Sequence, residues 1–201
     1  MSLCKKINYF FIVLLFSIPL LCYLGFRNTN KLSEFDNFKD LKNGDLILRC
    51  GKSTESFAIH LADNTSEFTH IGIISIEKEH PYVIHAVPNK QNILKKETLL
   101  EFIDPENNST YAIYRSQYNV ETLSKVVNEA QNFYSKKYTF DNEYDLNTDT
   151  KLYCTELILK AFNNAGITLN IKAKQLNFVI GKHNIIFPSE FTKEPEFNRV
   201  I

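Results

Sequence analysis

Two apolar stretches joined by a short charged turn decide the fold: THIGIISIE (Thr69–Glu77) and YVIHAV (Tyr82–Val87). Both are rich in β-branched residues and are bounded by polar ones, which predicts two strands. Because so few residues separate them, the strands form an antiparallel hairpin.

The hairpin carries two histidines whose relative position depends on the turn. A turn centred between Glu77 and Lys78 would place His70 directly opposite His85. Directly opposed residues point to the same side of a sheet, so we expect two imidazoles side by side on one face. Gly72 shares that face and would leave room above the sheet. A one-residue bulge would break this register.

The rest of the chain predicts a mixed fold. Further strands are expected at Asn43–Cys50 (NGDLILRC), Thr110–Arg115 and Asn177–Gly181, and helices at Ser56–Asp63, Val120–Lys137 and Cys154–Gly166. Strands and helices come in unequal clusters rather than as repeated βαβ units. The predicted class is therefore α+β with an antiparallel sheet.

The stretch LYCTELILKAF (Leu152–Phe162) places a cysteine at the start of a helix. Apolar residues follow Cys154 at helical spacing, so its thiol lies on the buried face in the first turn. Free backbone N–H groups and the helix dipole there would lower the thiol pKa and could stabilise an oxyanion. A small, buried, inert cysteine is equally compatible with this position.

Cys154, His70 and His85 together match the pattern of nucleophile, general base and orienting residue. Two other readings stay open. Cys154 and Cys50 could form a disulfide, since exported domains usually pair their cysteines. A zinc site could use the same three residues with His60, although no local C-x-x-C or H-x-x-x-H pair supports it. We predict no metal and no cofactor.

The composition limits the kinds of partner that the protein is expected to bind. The 201 residues include 23 basic and 23 acidic ones, and 44% are apolar, which is enough for a folded core. The absence of net charge and of a dense basic block argues against nucleic-acid binding. A peptide, amide or acyl-lipid substrate is expected instead.

The N-terminus predicts a location. Residues 7–26 (Ile7–Phe26) carry no charge and follow two lysines. We interpret residues 1–26 as an uncleaved membrane anchor, with a cleaved or lipidated signal peptide as the alternative. Residues 27–40 read as a polar tether and 41–201 as the functional domain. The domain would be exported, either anchored at the membrane or free outside the cytoplasm.

The motifs NGDLILR, FTHIGIISI, YVIHAV and LYCTELILKAF resemble, in this order, the permuted papain-like amidases of the NlpC-type superfamily. The nearest group is the YiiX/YebB-like cysteine hydrolases, and lecithin:retinol acyltransferase-like proteins are more distant. The resemblance implies a permuted papain-like fold, in which the histidine strand precedes the cysteine helix.

By this resemblance Cys154 matches the nucleophile and His70 the general base. His85 falls where many YiiX-like members carry glutamate, and a histidine there is more similar to the acyltransferase-like branch. The family often has Tyr-Asp before the cysteine, which suggests Tyr138, or alternatively Tyr144, as an oxyanion or substrate-binding residue. Tyr153 is a second candidate for that role.

The resemblance implies a cysteine hydrolase that cleaves an amide or ester through an acyl-thioester enzyme, on cell-wall peptides or lipid-linked substrates. An acyltransferase with the same Cys-His site, or a non-catalytic module that binds a peptide or lipid, are the alternatives.

Overall fold

The computed structural model describes residues 38–63, 66–88, 91–178 and 181–201. The predicted anchor or signal at residues 1–26 lies outside the described residues, as does most of the predicted tether. The chain divides into two units, Met1–Leu41 and Lys42–Ile201. Of the first unit only a turn is described, in which the Leu41 N–H donates to the Phe38 carbonyl over 3.3 Å. None of the helices described is long and apolar enough to cross a membrane.

The second unit contains ten described strands. They are β1 Leu46–Gly51, β2 His70–Glu77, β3 His80–His85, β4 Lys95–Thr98, β5 Asn108–Ser116, β6 Thr139–Phe140, β7 Lys151–Leu152, β8 Lys174–Phe178, β9 Gly181–Ile185 and β10 Phe197–Arg199. Six of them form one sheet in the order β10-β5-β1-β2-β3-β4, and every neighbouring pair in it is antiparallel. The predicted α+β class with an antiparallel sheet is confirmed.

Five described helices complete the unit: α1 Thr54–Ala62, α2 Leu99–Phe102, α3 Val120–Ser135, α4 Cys154–Asn164 and α5 Pro188–Phe191. The apolar stripes of α3 and α4 pack into one buried cluster with the sheet residues Leu46, Leu48, Ile71 and Ile73. Both long helices were predicted, because their apolar residues recur at helical spacing. Helix α1 buries none of its residues, and its Phe57 and Leu61 are exposed.

Some short elements differ from the prediction. The range predicted as one strand, Asn177–Gly181, instead contains the end of β8 and the start of β9, which pair antiparallel. Strands β4 and β10 were not predicted. Their sequences, KKET and FNR, are too short and polar to show an alternating pattern.

The β2–β3 hairpin has a different register from the predicted one. Lys78 and Glu79 form the turn with φ values of 48° and 67°, so Glu77 pairs with His80. Two-residue turns with positive φ at both positions match the twist of a hairpin, which favours this turn over the predicted one. The ladder is therefore shifted by two residues. Because side chains alternate with a period of two, the shift leaves both histidines on the predicted face.

The shift changes what lies above Gly72. A Cβ at this position would lie 2.5 Å from Val83 Cγ1 and 3.2 Å from His85 Cβ. The space that we expected to be open for a substrate is thus filled by Val83 and His85. Because Gly72 has no side chain, the Val83 and His85 side chains of β3 can pack against β2 at this point.

Gly72→Ala should lower the free energy of unfolding by about 1–3 kcal/mol, because the added methyl group overpacks against Val83. Chemical denaturation of the full chain measures the change. In a Val83→Ala background, which removes the clashing Cγ1, the same substitution should cost clearly less. Equal costs in the two backgrounds would contradict the contact.

Candidate active site

The site is built around the start of α4. Tyr153 precedes this helix in an extended conformation, and Cys154 is its first residue. The Tyr153 hydroxyl accepts the N–H of Ile186 (3.2 Å), and the Thr155 hydroxyl donates to the Ile186 carbonyl (2.8 Å). Both neighbours of Cys154 are therefore fixed to the backbone of the same residue, Ile186. The helix start also uses Glu156, whose Oε2 accepts the Tyr153 N–H over 3.3 Å.

The Cys154 thiol lies against β2. The backbone of Ile71, the residue directly after His70, hydrogen-bonds to the Cys154 sulfur. The β2–β3 ladder extends only to Ile73 opposite Ile84, so the strands no longer pair at Ile71. The nucleophile candidate thus meets the sheet where β2 and β3 separate, beside His70. Cys154 and His70 line the same cavity, whose volume is about 600 Å³.

Burial controls the thiol pKa. It raises the pKa of Cys154 to about 11, because the half-buried environment disfavours a thiolate. Hydrogen bonds from the backbone of Ile71, Thr155 and Cys154 itself, together with the charge of Arg49, act in the opposite direction without reversing the shift. The expectation of a lowered pKa is corrected. The helix start does favour the thiolate, but the loss of water outweighs that effect.

The two histidines are in contact. Nε2 of His70 lies 2.8 Å from Nδ1 of His85, and the two rings meet edge to face with centroids 5.0 Å apart. Phe102 from α2 packs against both rings, at 5.8 Å and 5.1 Å between centroids. His85 is fully buried and His70 nearly so. The two histidines are therefore in contact, as the sequence predicts. The contact is diagonal across the strands and not between directly opposed residues.

A third buried group, Glu97 of β4, extends this chain of contacts. Nε2 of His85 lies 3.1 Å from Oε1 of Glu97, and Lys95 forms an ion pair with the other oxygen of the carboxylate. Sequence analysis missed Glu97 because β4 was not recognised. A usable signal was the sequence TLLE (Thr98–Glu101), whose capping box marks the start of α2 directly after β4.

The pKa values assign charges to these groups. Burial lowers the pKa of His70 well below its usual value, and the charges of His85 and Arg49 act in the same direction. Burial also lowers the pKa of His85, against the opposing effect of Glu97. Burial alone would raise the pKa of Glu97, but its hydrogen bonds to His85 and Lys95 hold it at about 2. At neutral pH both imidazoles are neutral and the carboxylate is ionised.

These charges fix the positions of the protons. Nε2 of His85 lies within ion-pair distance of Glu97 but is not aligned as a hydrogen bond. Because an ionised carboxylate can only accept, this contact favours a proton on Nε2 of His85, which leaves Nδ1 bare. His70 must then donate from Nε2 to that Nδ1, which leaves its own Nδ1 without a proton. This nitrogen has no hydrogen-bond partner among the residues that the structure describes. It is the basic atom available in the cavity that Cys154 lines.

Tyrosines occupy one wall of the cavity. Tyr144 and Tyr153 line it, with ring centroids 5.2 Å apart, whereas Tyr138 is not among the lining residues and packs on Phe133 at 5.1 Å. Of the two alternatives before the cysteine, the structure favours Tyr144 over Tyr138. The Tyr153 hydroxyl already bonds the Ile186 N–H, so this side chain supports the helix start. Burial raises the pKa of both lining tyrosines, which stay protonated.

The disulfide and zinc alternatives find no support among the described residues. Cys50 and Cys154 are both free. Within the described ranges no group of three His, Cys, Asp or Glu side chains is arranged to hold a metal ion. His60 lies exposed on α1, and both ring nitrogens of His85 face protein partners.

Comparison with known proteins agrees with this architecture. The model of the permuted papain-like amidase family, YaeF/YiiX, C92 family, matches residues 40–201. The uncharacterized protein YiiX of Escherichia coli strain K12 is 31% identical over 127 residues, which are 62% of this chain and 58% of YiiX. The chain thus matches little more than half the length of this curated relative.

A crystal structure of the metalloprotein YiiX from Escherichia coli O157:H7 has a similar fold. It superposes with a TM-score of 0.66 at 21% identity, covering 80% of this chain and 96% of that one. The family predicted from the motifs and the permuted papain-like fold are confirmed. The matching family is one of amidase enzymes, in agreement with the predicted class of a cysteine amidase or peptidase-type hydrolase.

Glu97 should make stability depend on pH in the acid range. Its pKa of about 2 in the folded protein lies below the value of roughly 4.3 expected in the unfolded chain. Its contribution is therefore complete above about pH 4.3 and is lost as the pH falls towards 2. Glu97→Gln should lower the free energy of unfolding at pH 7 by on the order of 2–3 kcal/mol and flatten the acid limb.

Denaturation at a series of pH values tests this expectation. Glu121→Gln is the matched control, since Glu121 is an exposed helix carboxylate that forms an ion pair with the exposed Lys125. The control should leave the pH dependence unchanged. An equal loss of stability between about pH 4 and about pH 2 in Glu97→Gln and in the unmodified protein would contradict the assignment.

Proposed function

The chain belongs to the permuted papain-like amidase family, and we propose that it hydrolyses an amide or ester bond with Cys154 as the nucleophile. The observation that carries the proposal is the 2.8 Å contact between Nε2 of His70 and Nδ1 of His85. It commits one nitrogen of His70 to His85 and leaves the other available as a base in the cavity that His70 and Cys154 both line.

In the proposed reaction the thiol and imidazole start uncharged. As the sulfur of Cys154 attacks the carbonyl carbon, its proton moves to Nδ1 of His70. The resulting imidazolium then gives this proton to the leaving amine or alkoxide, and an acyl-thioester forms. A water molecule, deprotonated by the same nitrogen, attacks the thioester and releases the acid and the free thiol. The raised thiol pKa fits a proton transfer that accompanies attack rather than a preformed ion pair.

His85 and Glu97 would act through His70. Positive charge develops on His70 during attack, and a hydrogen bond to an acceptor nitrogen stabilises it. The ionised Glu97 in turn polarises His85 over 3.1 Å. We propose both as positioning residues that keep the base in one tautomer.

Backbone N–H groups are the proposed oxyanion donors. Cys154 and Thr155 lie in the first turn of α4, where N–H groups have no intrahelical partner. The backbones of both residues act to lower the pKa of the Cys154 thiol, which supports this assignment. Tyr144, on the cavity wall, is a second donor candidate.

The substrate class follows from the cavity and from the sequence before the domain. A volume of about 600 Å³ accommodates a short peptide or the head of a lipid-linked molecule. We propose that residues 1–26 export the domain and hold it at a membrane, on the basis of the uncharged stretch Ile7–Phe26. Cell-wall peptides and acyl lipids would then be within reach.

An activated ester tests the nucleophile directly. With p-nitrophenyl acetate, the full chain should release nitrophenol and gain one acetyl group on Cys154, detected by mass spectrometry of the digested protein. Cys154→Ala should abolish both signals, and His70→Asn should slow acylation by roughly 10²–10⁴-fold through loss of the base.

Cys50→Ala is the matched control, because Cys50 is the other free cysteine among the described residues. It should retain the acetylation rate and the release of free acid. An acetyl group found on Cys50, or unchanged acylation after His70→Asn, would refute the assigned roles.

A further inference from the structure

Arg49 on β1 is a half-buried cation in the cavity that the proposed nucleophile also lines. Its backbone pairs with His70 on β2, and its side chain lines the cavity together with Cys154. The guanidinium stacks on the Phe102 ring, 4.2 Å from its centroid, and Nη1 donates to the Phe102 carbonyl over 2.6 Å. The charge of Arg49 acts on Cys154, whose pKa it lowers. The group is thus held rigidly at the reaction centre.

One edge of this guanidinium is unused. The Nε atom is buried and has no hydrogen-bond partner, and among the described residues no carboxylate forms an ion pair with Arg49. The nearby Glu97 is engaged by His85 and Lys95 instead. A buried donor without a partner is costly, so the Nε atom favours a bound acceptor.

Arg115 on the neighbouring strand β5 shows what this edge normally binds. Its Nε and Nη2 atoms donate to the two oxygens of the buried Asp45, over 2.9 Å and 2.8 Å. This is the two-point geometry with which arginine recognises a carboxylate. Arg49 presents the same Nε edge without an internal carboxylate to fill it.

We propose that Arg49 is a specificity-determining residue that binds a carboxylate of the substrate next to the scissile bond. The inference rests on the proposed function, since it places this carboxylate relative to Cys154. It narrows the substrate class to amides or esters with a neighbouring carboxylate, such as a bond to a free amino acid or beside an acidic side chain. A phosphate presents a similar pair of oxygens, and the experiment separates the two anions.

Two alkylating reagents provide a test that needs no substrate. Iodoacetate and iodoacetamide share a leaving group and differ only in carrying a carboxylate or a neutral amide. The ratio of their rates at Cys154 in the full chain, relative to the same ratio for N-acetylcysteine, reports attraction of the carboxylate. Because both reagents consume the same thiolate, a change in thiol pKa cancels from the ratio.

Arg49→Met should lower this ratio about tenfold, the scale expected for a lost charge-assisted contact. Arg199→Met, which removes an exposed arginine on β10, should leave it unchanged. If the Met variant does not fold, Arg49→Lys keeps the charge and should still lower the ratio, since lysine lacks the two-donor edge. A ratio equal to that of the unmodified protein in the folded Arg49 variant would overturn the proposal.

Protection of Cys154 from labelling distinguishes a carboxylate from a phosphate as the bound anion. N-Acetylglycine should slow iodoacetamide labelling of Cys154 in the unmodified protein but not in Arg49→Met, and inorganic phosphate should protect less. Stronger protection by phosphate would overturn the carboxylate assignment. If neither reagent modifies Cys154 while Cys50 is labelled, the proposed function itself fails, a result distinct from an unchanged ratio.

Discussion

The contact between His70 and His85 is the interaction on which the rest of the site depends. It joins two strands of the central sheet through a 2.8 Å link between ring nitrogens. Glu97, which contacts His85, is ionised and can only accept a proton. The favoured positions of the protons on both imidazole rings follow from this. Without this contact the His70 ring would have no defined tautomer, and its orientation in the cavity would not be fixed.

The fold provides this arrangement through few elements. Gly72 lets β3 approach, α2 covers both rings with Phe102, and β4 supplies the carboxylate. On the other side of the reaction centre, the backbone N–H and carbonyl of Ile186 fix both neighbours of Cys154. The site is thus held by backbone and buried side chains of the sheet and helix, as precise positioning requires.

Much of the fold could be predicted from the sequence, because the long elements carry clear periodicity. The helix of Cys154 buries one face, and β2 is an apolar run buried at six successive residues, so both patterns are visible in the sequence. The turn at Lys78 and Glu79 was misplaced because two charged residues with positive φ carry no glycine or asparagine signal. The error was two residues, which preserved the shared face and therefore the histidine pair.

Other parts of the site could not be predicted, because they depend on tertiary contacts. Glu97 lies on a four-residue polar strand at the sheet edge, and its role appears only once β4 is placed beside β3. Arg49 follows the apolar residues Leu46–Leu48 within β1, as many surface residues follow apolar ones, and the unused edge of its guanidinium is visible only in three dimensions. The thiol pKa was misjudged for the same reason, since the extent of desolvation is not encoded in a local pattern.

The most direct test of the account is the protonation of the two rings, measured by ¹⁵N NMR of histidine-labelled protein at neutral pH. The account predicts that His70 and His85 are both neutral and both carry the proton on Nε2. An Nδ1 proton on either ring, or an imidazolium at either position, would contradict the proposed orientation of the base towards Cys154.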